Sequence, residues 1–161
     1  MRPIRIPSSL VERMATHARS TYPDECCGFL VAESDPADGR APRTIVDAEA
    51  VPNDYEGERR RRFLLRPEEL RKAERRLEGT GRAIAGFYHS HPDHPGRPSQ
   101  YDLEHAWPWY TYVVLGIDAS AVREARAFEL DPDALVFREV AMAVEDDVPA
   151  AAEVVGGLAR P

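Results

Sequence analysis

Cysteine and long apolar runs are scarce in this sequence. The only two cysteines, Cys26 and Cys27, are adjacent, so they cannot easily bridge without strain, and a disulfide framework is excluded. The longest strongly apolar stretch, residues 110–117, is far too short to cross a bilayer. The N-terminal MRPIRIPSSLVERM contains no apolar run that could serve as a signal peptide. We therefore expect a cytoplasmic protein with reduced thiols and no membrane association.

Basic residues are also fewer than acidic ones. The chain has 21 lysine and arginine residues against 28 acidic ones, a net charge of −7, and its single lysine is Lys72. A general nucleic-acid-binding protein needs a basic face that displaces counterions from phosphates, so that class is not expected. The 161 residues, 43% of them hydrophobic, are sufficient for one domain with its own core.

Apolar periodicity and breaker residues predict two or three helices and about six strands. We expect helices at 9–20, where Ser9 and Glu12 form a capping-box pattern, from Pro67 to about Gly79, and at 99–107. The predicted strands are 26–32, 44–51, 83–89, 110–116, 122–130 and 135–140, with 61–65 as a further candidate. Because helices and strands do not alternate regularly, this order is typical of an α+β fold. We assign residues 1–140 to a single domain and 141–161 to a C-terminal tail that could be disordered.

One segment, GFYHSHPDHPGRPSQYD at residues 86–102, concentrates residues suited to chemistry. Side chains two positions apart on a strand point to the same side, so His89 and His91 can aim at one point. Side chains three positions apart on a helix share a face, so Ser99 and Asp102 can lean into the same space. Two histidines and an aspartate, with a fourth position left to water, make up a ligand set typical of a catalytic zinc site.

Each of these residues also has a plainer interpretation. Ser99 and Asp102 fit a variant of the helix capping box, and a capping role for Ser99 is compatible with a chemical one. Surface histidines are common. His94, in the loop after His91, could be taken for a third histidine ligand. It is the combination of spacings, rather than any single residue, that favours a metal site.

The sequence HSHPDHPGRPSQYD resembles the signature of the JAMM metalloproteases, also called MPN-plus domains. The segment YPDECCGFL resembles the upstream part of that family, in which a glutamate stands at the head of an apolar strand, and this singles out Glu25. The order of helices and strands matches the family over nearly the whole chain. The resemblance implies a mixed, mainly antiparallel, curved β-sheet packed by two to three helices, as in the cytidine-deaminase-like architecture.

The resemblance also implies an activity and a set of roles. JAMM proteins are zinc isopeptidases that cleave after the C-terminal glycines of ubiquitin and ubiquitin-like proteins. His89, His91 and Asp102 would then ligate one zinc ion per chain, Glu25 would be the general base, and Ser99 would stabilise the oxyanion. The chain is similar to compact, stand-alone bacterial members, which implies a ubiquitin-like sulfur-carrier protein as partner. His94 is interpreted as a loop residue because the family uses aspartate as its third ligand.

Two other functions stay open: a non-catalytic MPN-type scaffold that binds partners, and a zinc amidohydrolase that acts on a small amide. Elsewhere we interpret Cys26 and Cys27 as core residues, the arginines of 59–62 as a solvated edge, and the aromatic residues of 107–110 as core rather than a substrate groove. His17 and His105 are expected at the surface or beside the site. Gly156 and Gly157 are expected in a flexible terminus. The sequence does not define the oligomeric state.

Overall fold

A computed structural model describes residues 1–34 and 41–147. Within them, three helices and eight strands follow one another along the chain. They are β1 (Ile4–Pro7), α1 (Ser8–Thr21), β2 (Cys27–Glu33), β3 (Arg43–Val51), α2 (Pro67–Leu77), β4 (Arg82–Pro92), α3 (Gln100–His105), β5 (Thr111–Ile117), β6 (Val122–Asp131), β7 (Val136–Val140) and β8 (Met142–Glu145).

The strands form one mixed sheet in the order β7-β6-β5-β4-β2-β3-β1-β8. Four pairings are antiparallel: β2 with β3, β2 with β4, β5 with β6, and β6 with β7. Three are parallel: β1 with β3, β1 with β8, and β4 with β5. This arrangement confirms the predicted α+β class, and it leaves β4 in the interior of the sheet between β2 and β5.

An ion pair demonstrates that the sheet is curved. Arg43 on β3 lies 3.4 Å from the Glu129 carboxylate on β6, although three strands separate β3 from β6. In a flat sheet those four strand spacings would amount to about 19 Å, well beyond the reach of an arginine side chain. Strands β3 and β6 therefore approach each other across the concave side of the sheet.

The two faces of the sheet carry separate apolar clusters. Helix α1 buries Leu10, Met14, Ala15 and Ala18 in a cluster that contains Tyr88 of β4. Helix α2 buries Leu70 and Ala73 in a second cluster that contains Phe87. Because successive side chains of a strand point to opposite faces, His89 and His91 extend from the Phe87 side.

The observed elements differ from the predicted ones at three places. Ser9 and Glu12 do not form a capping box; Pro7 is the N-cap, and the Ser9 hydroxyl instead donates to Asp147. Residues 61–65 form no regular structure and pair with no described strand, and the Leu64 amide donates to the Asn53 side chain instead of to a strand.

The third difference concerns the chain ends. Strands β1 and β8 are each four residues long and were not predicted, and β8 lies beyond residue 140, where we expected the tail to begin. Each is stabilised by parallel pairing with the other, a long-range contact that leaves no local pattern. Gly156 and Gly157 lie outside the described residues. Across residues 1–34 and 41–147, no helix combines the length and apolarity needed to span a bilayer.

Candidate metal centre and its two clefts

Strand β4 delivers two imidazoles to one point near its C-terminal end. His89 and His91 are both buried, and their Nε2 atoms lie 3.1 Å apart. The Nδ1 atom of His91 lies 3.3 Å from the Pro95 carbonyl oxygen. Because a carbonyl can only accept, Nδ1 is the donor in this contact, which leaves Nε2 as the His91 atom that could bind a metal.

Helix α3 supplies the third member of the cluster. The Asp102 carboxylate, with its side chain 8% exposed, lies 3.5 Å from Nε2 of His89 and 3.3 Å from Nε2 of His91. A capping box fixes its position: the Ser99 amide and hydroxyl both donate to Asp102 at 2.6 Å, and the Asp102 amide donates back to the Ser99 hydroxyl. The capping interpretation of Ser99 therefore describes its contacts in this structure.

The three residues fit a small tetrahedral cation. Their ligand atoms all lie within 4.8 Å of one another, and the closest separations are 3.1, 3.3 and 3.5 Å. Ligands about 2.0 Å from a tetrahedral ion are separated by about 3.3 Å, so the spacing matches zinc bound to nitrogen and carboxylate oxygen. Two imidazoles and one carboxylate leave the fourth position of such an ion open. The cluster therefore indicates a metal site.

Glu25 stands beside this cluster because of strand pairing. It immediately precedes Cys26 and Cys27, and Cys27 is the register partner of His89 in the β2–β4 ladder. Glu25 is only 5% exposed, and burial raises the pKa of its carboxyl to about 8, with the Asp102 charge adding to the effect and His91 and Arg62 opposing it. Together with His91 and Ser99, it lines one cleft.

Electrostatics inside the cluster favour an ionised Asp102 beside a neutral His89. The pKa of His91 is instead raised, because burial, which lowers it, is outweighed by the neighbouring Asp102 carboxylate. Burial alone would raise the pKa of Asp102, but His89, His91 and Ser99 hold it far below its usual range. Burial lowers the pKa of His89, and its Nδ1 atom has no hydrogen-bond partner among the described residues. A neutral imidazole and an anionic carboxylate are the forms that coordinate a cation.

An apolar cleft opens on one side of the cluster. His89 and Asp102 form its floor, and Phe63 stacks on His89 with ring centroids 4.8 Å apart. Its walls are apolar and aromatic residues from the segment before α2, from α2 itself, from β4, and from α3 through to β5: Phe63, Leu64, Leu65, Leu70, Phe87, Tyr101, Trp107 and Tyr112. We call this the apolar cleft.

A cationic cleft opens on the other side, where Glu25, His91 and Ser99 are joined by four arginines, Arg60, Arg61, Arg62 and Arg97. We call this the arginine cleft. The sequence interpretation of 59–62 as a solvated edge missed this position. The arginines follow no periodic pattern, and only the fold brings the 53–66 segment opposite the histidines.

Asn53 connects that segment to Glu25. Its side-chain amide donates to the backbone carbonyls of Glu25 and Arg62, both at 3.0 Å, and its carbonyl oxygen accepts from the amides of Tyr55 and Leu64. One side chain therefore ties the strand head that carries Glu25 to the loop that carries the arginines. Sequence reasoning did not identify this residue.

The remaining histidines lie outside the cluster. His94 is an exposed loop residue on the wall of the arginine cleft. His105 stacks on Tyr101 beside the apolar cleft, whereas His17, half-buried on α1, contacts the hydroxyl of the buried Tyr88 at 2.9 Å. Cys26 and Cys27 are buried, and burial raises the pKa of the Cys26 thiol to about 11, so it is not a reactive thiolate.

We expected the aromatic residues of 107–110 to be core, and this is wrong for the two tryptophans, whereas Tyr110 packs against the apolar cluster that contains Phe87. Trp109 is 79% exposed, and Trp107, which lines the apolar cleft, is 50% exposed. Pro108 and Trp109 form a turn between α3 and β5, and that turn holds the indole rings outside the packed layers.

A mixed, curved sheet with helices on both faces and a histidine–histidine–aspartate cluster on an interior strand defines a metal-binding α+β domain. Comparison with known families makes the assignment specific, because the pattern of the prokaryotic homologues of the JAB domain matches residues 7–131. The chain belongs to this family.

Curated relatives cover most of the chain. A desampylase from Haloferax volcanii is 35% identical over 138 residues, which is 85% of this chain and 90% of that protein. A CysO-cysteine peptidase from Mycobacterium tuberculosis is 31% identical over 143 residues, 87% of this chain and 90% of that protein.

Solved structures support the fold. A protein from Desulfitobacterium hafniense aligns with a TM-score of 0.75 at 24% identity, over 91% of this chain and 95% of that one. A JAB1/MPN domain protein from Archaeoglobus fulgidus aligns with a TM-score of 0.56 at 18% identity, over 89% of this chain and 98% of that one. At these identities the likeness concerns the fold alone.

Proposed function

We propose that this chain is a zinc-dependent metallopeptidase that hydrolyses the peptide or isopeptide bond after the C-terminal Gly-Gly of a ubiquitin-like, sulfur-carrier protein. The observation that carries the proposal is the convergence of His89, His91 and Asp102 next to the buried carboxyl of Glu25. The names of the curated relatives, a desampylase and a CysO-cysteine peptidase, support peptide-bond or isopeptide-bond hydrolysis as the reaction class.

In this proposal His89, His91 and Asp102 hold one zinc ion. When bound, zinc supplies Lewis acidity, which makes water a stronger acid and polarises a carbonyl group. Zinc is favoured over magnesium and calcium because two of the three donors are imidazole nitrogens, whereas those ions prefer oxygen ligands.

Glu25 is the proposed general base. Its carboxylate accepts a proton from the attacking water, the water oxygen bonds to the scissile carbonyl carbon, and the carbon–nitrogen bond then breaks. Glu25 passes the proton to the departing amine, so one carboxyl serves both halves of the hydrolysis. A cation held by the neighbouring ligands would favour the ionised form of Glu25, opposing the effect of burial on its pKa.

Ser99 is the proposed oxyanion donor. Its hydroxyl lies on the wall shared by Glu25 and His91, and at present donates to Asp102. A rotation about its Cα–Cβ bond would turn that hydroxyl toward a substrate carbonyl, while the Ser99 amide would keep its bond to Asp102. The buried free thiols Cys26 and Cys27 fit the reducing cytoplasm, where we place the activity.

Two measurements test this function. Elemental analysis of the purified protein should find about one zinc per chain, and His89→Ala should release it because a tetrahedral site loses a ligand. Glu25→Gln should keep the zinc and lower the cleavage rate at least about 100-fold, since it removes the base and no ligand.

The cleavage assay uses a sulfur-carrier protein extended past its Gly-Gly, with mass spectrometry to detect loss of the extension. A fully active Glu25→Gln variant would contradict the mechanism. If the enzyme instead hydrolysed only small glycyl amides, the substrate would be a small amide. A protein that binds the carrier without cleaving it would be a scaffold.

A further inference from the structure

The arginine cleft holds more positive charge than the described residues neutralise. Arg60 lies 3.7 Å from Asp93, and Arg61 lies 3.7 Å from Glu58, both at exposed positions. Arg62 and Arg97 have no carboxylate within ion-pair distance in residues 1–34 and 41–147. This excess of cations stands out in a chain whose net charge is −7.

Among the described residues, Arg62 is the one arginine of these four that packs on an aromatic ring. It is half-buried, and its guanidinium carbon lies 4.2 Å from the centre of the Tyr101 ring, a stacked cation–π geometry. One terminal nitrogen donates to the Arg61 carbonyl oxygen at 3.0 Å. The remaining guanidinium N–H groups are available to an anion, and because the group is already stacked, little side-chain entropy is lost when one binds.

The mechanism determines which part of a substrate enters this cleft. The base that returns a proton to the leaving nitrogen must be within hydrogen-bond reach of that nitrogen. Glu25 lines the arginine cleft and does not line the apolar cleft. The leaving group is therefore placed among the arginines, and the acyl side of the scissile bond extends toward the apolar cleft.

We infer that Arg62 binds the free α-carboxylate of a leaving amino acid or short peptide, so that the enzyme trims C-terminal extensions in preference to isopeptide conjugates. The inference rests on the proposed function and adds the chemistry of the leaving group. A guanidinium matches a carboxylate with two parallel N–H···O bonds. An isopeptide-linked lysine offers no carboxylate at this position, since its backbone continues in both directions.

The test compares three substrates made from one sulfur-carrier protein ending in Gly-Gly. The first carries a C-terminal alanine as the free acid, the second carries alanine carboxamide, and the third carries an isopeptide-linked lysine within a peptide. We expect kcat/KM for the free acid to exceed that for the carboxamide by about tenfold or more, since one charge-assisted bidentate contact is lost. The isopeptide should resemble the carboxamide.

Substitutions test whether the preference for the free acid over the carboxamide comes from Arg62. Arg62→Gln should lower the acid-to-amide ratio to about one, mainly through KM, and Arg62→Lys should restore part of it. Arg75→Gln is the matched control, because Arg75 is exposed on α2 away from the cleft and the change in charge is the same. The ratio compares two substrates on one enzyme, so it remains informative even if a variant is less stable.

Each outcome has a defined meaning. Equal cleavage of acid and amide by the unmodified enzyme, or an unchanged ratio in Arg62→Gln, would overturn the inference while leaving the proposed function standing. If none of the three substrates were cleaved, the proposed function would fail and the inference would fail with it.

Discussion

At the scale of single residues, Glu25 shows how the fold modifies a side chain. A glutamate at the end of a helix–turn segment is ordinarily solvated, but the β2–β4 register buries this one against the histidine cluster. No local pattern in the sequence reports that burial. Glu25 could be selected from the sequence only by resemblance to a family, whereas the spacing of His89, His91 and Asp102 carried information of its own.

The raised pKa of Glu25 predicts how pH affects the metal-free protein. Its carboxyl has a pKa of about 8 in the fold against 4.5 when unperturbed, so the folded state holds a proton that the unfolded state releases. The contribution of Glu25 to stability is therefore fully present below pH 4.5 and is lost as pH rises toward about 8.

Urea unfolding in the presence of a chelator measures this dependence. We expect the free energy of unfolding to fall between pH 5 and pH 8.5 more steeply in the unsubstituted protein than in Glu25→Gln. Glu56→Gln serves as the control, since Glu56 is an exposed loop residue. Parallel pH curves for the unsubstituted protein and Glu25→Gln would show that Glu25 is not the group responsible.

At the scale of elements, the pairing of β4 with β5 depends on a close backbone approach. Gly86 is the register partner of Thr111, and a Cβ atom added to Gly86 would lie 1.8 Å from the Thr111 carbonyl oxygen. Neither strand can shift freely, because both are interior to the sheet. Strand β4, which carries the histidines, can therefore lie this close to β5 only with glycine at position 86.

We predict that Gly86→Ala destabilises the protein by about 3 kcal/mol, the range of overpacked core substitutions. Gly57→Ala is the matched control: the three atoms nearest its new methyl group all belong to the Tyr55 side chain, which can move. Denaturant midpoints compare the two variants. Equal midpoints would mean that β4 and β5 tolerate a wider spacing than the structure indicates.

The sequence predicted best the elements whose pattern is local. Strand β2 was found because a strand buried on both faces leaves a continuous apolar run in the sequence. Helix α2 was found because a helix buried on one face leaves an apolar stripe at helical spacing. Strands β1 and β8 were missed because each is short and depends on the other end of the chain. The 61–65 segment was assigned as a candidate strand because its residues favour extension, but Asn53 takes the Leu64 amide that a ladder would need.

At the scale of the whole molecule, the contact between Arg43 and Glu129 holds the curved sheet together. Their side chains are 11% and 9% exposed, and Arg43 also donates to the Thr111 hydroxyl at 2.8 Å and to the Trp109 carbonyl oxygen at 2.6 Å. The Arg2 amide donates to the same Glu129 carboxylate. This network joins β3, β5, β6 and the segment that precedes β1, across the sheet rather than along its ladders.

Removing one partner of the Arg43–Glu129 ion pair should lower the free energy of unfolding more than removing both. We expect Arg43→Met to destabilise the protein by about 3 kcal/mol, because the buried Glu129 would lose the positive charge of Arg43. Arg43→Met combined with Glu129→Leu should recover part of that loss. Arg126→Met, which breaks a more exposed ion pair with Glu139 on the same sheet, should have a much smaller effect. A double variant less stable than Arg43→Met would contradict this account.

The side-chain amide of Asn53 couples the position of Glu25 to that of Arg62. It donates to the backbone carbonyls of both residues, so a displacement of the 53–66 loop would also shift the main chain that carries Glu25. If Glu25 is the base and Arg62 binds the leaving group, as we propose, then substrate binding in the arginine cleft and alignment of the Glu25 carboxyl depend on the same side chain. A substrate that displaced the loop would then be both weakly bound and slowly cleaved.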